Sequence, residues 1–183
     1  MSGDFLLIHK ILECQVPLIV EKEELLYKVD ETLLCFNKQA FCLITGFLFG
    51  NEVELPYNCP ATLTERLFGD LRYLREIKVS DFDKIFKDHF YDLSDEDAVR
   101  VGLLLVLDLV FLGRQKDNVV QHWCLQLVEN LDAWNRYPWG SLIWRKTFQQ
   151  LHDARKKRKD SNKEHNRYTL SGFIYAFKVH ICL

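Results

Sequence analysis

The chain has 183 residues and a mass of 21.7 kDa, the size of one ordinary domain of about 100–200 residues. Hydrophobic residues make up 48% and charged residues 27%, which excludes a disordered or fibrous chain, since those lack the apolar surface that offsets ordering entropy. The formal net charge of −2 excludes polyanion binding through bulk charge.

Phe5 to Val16 places apolar residues at 5, 6, 7, 8, 11, 12 and 16, a broad helical stripe closed by Pro17. Leu25–Val29 and Thr32–Phe36 are β-favouring runs around Asp30-Glu31 and read as a hairpin. Asn37 is placed to cap a helix from Lys38 towards Thr45, with Gly46 at its end. Pro56 to Pro60 marks a loop. Thr62-Leu63-Thr64-Glu65 fits a capping box, with Ser80–Asp83 and Ser94–Asp97 as looser versions using aspartate. Phe82, Ile85, Phe86 and Phe90 follow at helical spacing. From Ala98 to Leu112 the pattern is apolar nearly all round, which predicts the central buried helix, ended by Gly113. Val119–Val128 reads as a further amphipathic helix, and Arg136–Gly140 as a turn. Trp144, Phe148 and Leu151 continue a helical stripe, and Tyr168–Leu183 closes the chain as a last helix.

The expected fold is mainly α: a multi-helix single domain with a small β-hairpin near residues 25–36. Residues 1–154 form the helical domain, 155–167 a basic loop, and 168–183 a C-terminal helix that packs back on the domain. The loop stands out in composition. Residues 145–167 hold nine basic and three acidic residues, so the balanced total hides a dipolar layout.

Six cysteines occur without a C-x-x-C pair, and several sit in apolar runs such as Leu33–Phe36 and Phe41–Ile44. Reduced, structural thiols are expected, since a chain with this apolar inventory does not need staples. The N-terminus has no basic region ahead of its short apolar stretch, a poor secretory signal. The longest apolar run, Val101–Leu112, is interrupted by Asp108 and falls short of the about 20 residues a bilayer needs. An intracellular chain with no membrane partner follows as the expectation.

Two surface candidates emerge. Arg155, Lys156, Lys157, Arg158 and Lys159 are five adjacent cations, suited to an acidic groove of an import receptor or to nucleic-acid phosphates. No aromatic residue interrupts the run, which disfavours single-strand binding by base stacking. Tyr137, Pro138, Trp139 and Gly140 offer large aromatic area, either as a partner surface or as a lock between helices. Burial is the favoured alternative.

His122-Trp123-Cys124 invites a thiol hydrolase, but residues two apart on a helix do not share a face. His-x-Cys also supplies too few ligands for a metal. The acidic clusters Asp81/Asp83 and Asp92/Asp95/Glu96/Asp97 lack the glycine of a calcium loop and read as helix starts. No phosphate loop, dinucleotide fingerprint, nucleophile elbow or H-E-x-x-H motif occurs. No catalytic residue, cofactor or metal is expected.

Several segments taken in order resemble a family. They are Phe41-Cys42-Leu43-Ile44-Thr45-Gly46, Arg66-Leu67-Phe68-Gly69, the apolar helix 101–112, Leu131–Gly140 with its Tyr-Pro-Trp-Gly end, and Tyr168–Phe173. Together they resemble a plant domain of unknown function found in transposon-derived genes, often ahead of a ubiquitin-like (SUMO) protease domain. In Leu131–Gly140, Trp134 stands where the family usually has phenylalanine. The resemblance implies no established activity. His122-Trp123 imitates a dipeptide of the neighbouring protease, but the later aspartate–cysteine–glycine of its triad is missing, and Cys182 alone lies downstream of Cys124.

Three functions follow as expectations. The first is a non-enzymatic, nuclear protein-interaction domain presenting an aromatic and acidic surface, with the basic stretch as address or tether. The second is a nucleic-acid-binding module of transposon origin using 155–167. The third and weakest is a degenerate cysteine hydrolase.

Overall fold

Asp30, at a left-handed φ of 52°, turns the chain back on itself in a hairpin. β1 (Glu24–Val29) and β2 (Thr32–Asn37) pair antiparallel, with Leu25 opposite Phe36 and Val29 opposite Thr32. A two-residue connection favours such positive φ values. In this computed structural model the described residues are 2–16, 23–51, 61–70, 76–160 and 170–182. The helices are α1 (Ser2–Glu13), α2 (Lys38–Thr45), α3 (Thr62–Phe68), α4 (Val79–Asp88), α5 (Asp95–Leu105), α6 (His122–Leu127), α7 (Leu131–Arg136), α8 (Trp139–Asp160) and α9 (Ile174–Cys182). The fold is mainly α with one small hairpin, as its periodicities predict.

The expected single body divides into two compact units, residues 1–50 with 139–183, and residues 51–138. The first unit is built around aromatic rings. Phe36 lies 5.4 Å from Trp144 and 5.2 Å from Phe177, while Phe41 lies 5.4 Å from Trp144 and Tyr27 5.0 Å from Phe177. All five side chains are buried. Burying each ring contributes about 1.5–3 kcal/mol, and tilted or edge-on pairing adds to that. α8 supplies Ile143, Trp144, Thr147, Leu151 and Ala154, a buried stripe at helical spacing. α1 packs on α8 and β1, and α9 packs on α2 and β2.

The ends of α2 form as expected. Asn37 accepts the Ala40 N–H at 2.9 Å, and Gly46 (φ 66°) closes the helix with its N–H on the Cys42 carbonyl. Thr45 Oγ1 donates to the Phe41 carbonyl at 2.8 Å and accepts the Phe47 N–H at 3.3 Å. Thr147 plays a similar part for the chain end: its hydroxyl donates to the Ile143 carbonyl and accepts the Phe173 N–H, both at 2.8 Å.

Leu63, Phe82, Val101, Leu104, Leu107, Cys124, Leu127 and Trp134 fill the core of the second unit. α4 packs on α5, α3 on α6, and α6 on α7. Ser94 caps α5 by accepting the Asp97 N–H at 3.2 Å, as its spacing predicts. The expected box at Thr62–Glu65 does not form. Ala61 is the cap residue without a side-chain bond, and the Glu129 carboxylate takes the Leu63 N–H instead. α4 begins at Val79, one residue ahead of Ser80. Asp81 accepts the Lys78 N–H at 2.8 Å as the acid of the first turn.

The apolar helix from 98 is not buried all round. α5 runs into a π-helical segment, Val106–Phe111, and Val99, Val106 and Val110 face solvent while Val101, Leu104 and Leu107 face the core. The expected helix 119–128 is shorter, because Val119 bridges to Lys78 before α6 starts. α8 continues to Asp160, so 155–160 is helical rather than part of a loop. Arg and Lys are good helix formers, nothing there breaks the helix, and cations suit a helix C-terminus. Residues 161–169, the remainder of the expected basic loop with Lys163 and Arg167, lie outside the described residues. Among the described residues no helix is long and apolar enough to cross a membrane.

Candidate functional site

Tyr137, Pro138, Trp139 and Gly140 do not form an exposed partner surface. Tyr137, Pro138 and Gly140 are buried and Trp139 is half-buried. Tyr137 stacks on Trp123, with ring centroids 5.4 Å apart. The Gly140 N–H donates to the Leu48 carbonyl at 2.9 Å. A Cβ on Gly140 would lie 2.6 Å from the Phe49 ring and 2.8 Å from the Leu48 oxygen, so glycine is the residue this close approach requires. These aromatic side chains serve packing.

The thiol candidate is equally structural. Cys124 is buried, and burial, with the Asp108 carboxylate second, pushes its thiol above the usual range. A nucleophilic cysteine needs the opposite shift. His122, two residues earlier, is exposed. Asp108, 1% exposed, pairs with Arg114 at 2.7 Å, and its Oδ2 has no hydrogen-bond partner. Burial raises its pKa against the pull of Arg114. Arg114 also donates to the Val119 carbonyl at 3.0 Å, tying the end of the π-helical segment to the bridge strand.

The acidic residues split into two kinds. Asp97 is buried and receives Arg66 in two bonds, Nε at 3.0 Å and an amino group at 2.7 Å, with Arg100 at 2.9 Å. Arg66, then Arg100, hold its pKa below the usual range against the effect of burial. Arg66 also lies 3.4 Å from Glu129. This network ties α3 to α5. Among the described residues, no group of three or more histidine, cysteine or carboxylate side chains converges as a metal would require.

Asp81 and Asp83 are half-buried, Asp83 pairing with Lys87 and Lys116, while the acids that follow, up to Glu96, lie in solvent. α4 ends at Asp88, and a 3₁₀ turn, Phe90–Asp92, leads to Ser94 and α5. Phe82 is buried, while Phe86 is 41%, Phe90 39% and Tyr91 98% exposed. Phe86 and Phe90 meet edge-on at 5.1 Å, and Phe90 and Tyr91 at 5.7 Å. Asp88, Asp92, Asp95 and Glu96 are all exposed around this turn. Helical spacing groups Phe82, Phe86 and Phe90 in one run. The helix α4 stops at Asp88, between Phe86 and Phe90, and no residue pattern marked that break. The result is an exposed aromatic knuckle in a stretch of chain rich in exposed carboxylates.

In the first unit a groove of about 520 Å³ is lined by Glu23, Glu24, Lys38, Cys42 and Phe49, among others. Two of its charged groups have internal partners: Trp144 donates to Glu23 at 3.2 Å, and Lys38 lies 5.0 Å from the Phe49 ring centroid. The backbone of Arg155, Lys156, Lys157, Arg158 and Lys159 lies in α8, and their side chains fall outside the described set.

The residues that carry the sequence resemblance have structural work in common: Phe41 in the core, Thr45 and Gly46 at a helix end, Arg66 in the ion network, and Tyr137 and Gly140 in close packing. A family model described as a domain of unknown function (DUF1985) matches residues 15–151. No curated protein and no solved structure matches the chain. With most of its length covered, the chain belongs to the DUF1985 family of domains of unknown function.

Proposed function

We propose that the chain is a non-enzymatic protein-interaction domain that presents the knuckle at Phe86–Glu96 to a protein partner. The observation that supports this best is Tyr91, 98% exposed and in ring contact with a half-exposed Phe90. Aromatic anchors at the centre of a contact supply most of the energy of protein recognition. A grouped, water-facing aromatic cluster is uncommon on a surface without a partner. The non-enzymatic part is supported by the burial of Cys124, which pushes its thiol above the usual range. Following the resemblance, the domain acts in a plant transposon-derived protein beside a SUMO-protease module, as its partner-recognition part. The cations at 155–159 serve as the nuclear address.

Proximity labelling in plant cells, with the labelling enzyme fused to the chain, tests this. The wild-type chain should label nuclear neighbours. A Phe90→Ser, Tyr91→Ser variant with an unchanged thermal melt should lose a defined subset of them. Identical neighbour lists would reject the knuckle as the contact.

A further inference from the structure

We infer that the knuckle takes a lysine- and arginine-rich stretch of a protein partner, an inference that rests on the reading above and names the chemistry of its occupant. Three features of the site converge on cations. First, the rings meet edge-on, at 68° and 82° between planes. Edge contact does not stack the π faces on one another, and Tyr91 projects almost wholly into water. A π face attracts an ammonium or guanidinium group within about 6 Å of its centroid. Second, the carboxylates of Asp88, Asp92, Asp95 and Glu96 are exposed within a few residues of those rings. Third, two of the local cations are already engaged, while Lys84 is exposed and His89 sits 3.3 Å from Asp92. Lys87 sits 2.9 Å from Asp83, and Arg100 sits 2.9 Å from both Glu96 and Asp97.

Between positions 81 and 97 the sequence has seven carboxylates and two lysines. The surrounding unit, 51–138, has sixteen acidic and ten basic residues. An anionic partner would meet repulsion here. A neutral apolar partner would strip water from the carboxylates without replacing its hydrogen bonds, which costs free energy. A cationic stretch satisfies both groups at once: its charges pair with the carboxylates, and its alkyl stems and cations cover the rings. The same charge draws such a partner in from a distance and makes association salt-dependent.

The test uses the full chain, labelled with ¹⁵N, and the synthetic peptide GRKGRKGRKG, with GQQGQQGQQG as the neutral control. The expected result is saturable binding of the cationic peptide that moves the amide signals of residues 86–96 and weakens as salt rises. Tyr91→Leu should weaken it about threefold, while Tyr91→Phe keeps it, because a phenyl ring retains the π face. Asp88→Asn with Asp92→Asn should weaken it about fivefold and flatten the salt dependence. These side chains are exposed, so the variants should melt as wild type does, which the same samples check. Equal binding of the neutral peptide would overturn the inference and leave the knuckle as a contact for an apolar partner. Cationic binding indifferent to Tyr91→Leu would overturn it as diffuse charge attraction. Dimerisation of the chain that survives high salt and is lost in Tyr91→Leu would assign the face to a second copy and overturn it too. Absence of binding at millimolar peptide overturns it without touching the proximity-labelling result, which judges the broader reading separately.

Discussion

Arg66 grips the Asp97 carboxylate with two hydrogen bonds, 3.0 and 2.7 Å long, across 31 positions of sequence. A planar guanidinium on a buried carboxylate is the strong form of an ion pair. Arg66→Ala leaves that carboxylate to Arg100 alone and should cost about 1–3 kcal/mol, read from urea midpoints at constant slope. Arg66→Lys should recover only part of the loss, since an ammonium does not reproduce the fork.

Asp97 and Asp108 make opposite pH predictions. The Asp97 pKa in the folded chain is lowered, chiefly by Arg66. Its contribution is therefore present above the unfolded value of about 3.9 and is lost as pH falls through the lower folded value. Asp108 is raised by burial, so it favours folding at low pH and loses that contribution as pH rises from about 3.9 through its folded value. Urea unfolding between pH 2 and 7 should show Asp97→Asn flattening the acid limb. Asp108→Asn should lower stability less at pH 7 than at pH 3, relative to wild type.

Three glycines separate by their surroundings. A Cβ at Gly172 (φ 91°) would lie 2.8 Å from Thr147 Cα, and one at Gly140 would strike Phe49 and the Leu48 oxygen. Alanine at either site should destabilise by about 1–3 kcal/mol. A Cβ at Gly102, in the interior of α5, would meet nothing within 4 Å, so Gly102→Ala should stabilise by about 0.5–1 kcal/mol. Thermal melts of the three variants check the ranking.

The cysteines should react in an order set by burial. Cys182 is exposed and Cys124 is buried with a raised pKa. A thiol-alkylating reagent at pH 7 should label Cys182 within minutes and Cys124 only on unfolding. Rapid native labelling of Cys124 would revive the hydrolase reading.

Much of the fold was legible because its signals are local. Asn37, Gly46 and Ser94 sit where their own chemistry places helix ends, and the alternating runs around Asp30-Glu31 fold as a hairpin. What escaped the sequence depends on distant partners. Glu129 displaces the expected cap of α3 from 66 positions away. The π-helical turn at Val106–Phe111 has no residue signature, although buried Asp108 and Arg114 hold its end. The knuckle was hidden for a related reason. Phe82, Phe86 and Phe90 keep helical spacing along the chain, but α4 stops between the last two.

The basic stretch has its own check. Changing Lys156, Lys157, Arg158 and Lys159 to alanine should move a fluorescently tagged chain out of the nucleus. The same change should leave the melt within about 0.5 kcal/mol of wild type. Should the wild-type chain bind duplex DNA with a log–log salt slope near about −4 and the variant not bind, the stretch is a nucleic-acid contact instead.

The most direct measurement of the central claim is site-specific photocrosslinking in plant cells. A photoreactive phenylalanine analogue replaces Tyr91 in one sample and Tyr175, the 63% exposed tyrosine of α9, in another. A protein adduct formed from position 91 and not from position 175 is the predicted result. Adducts from 175 alone, or from neither position, would contradict the account.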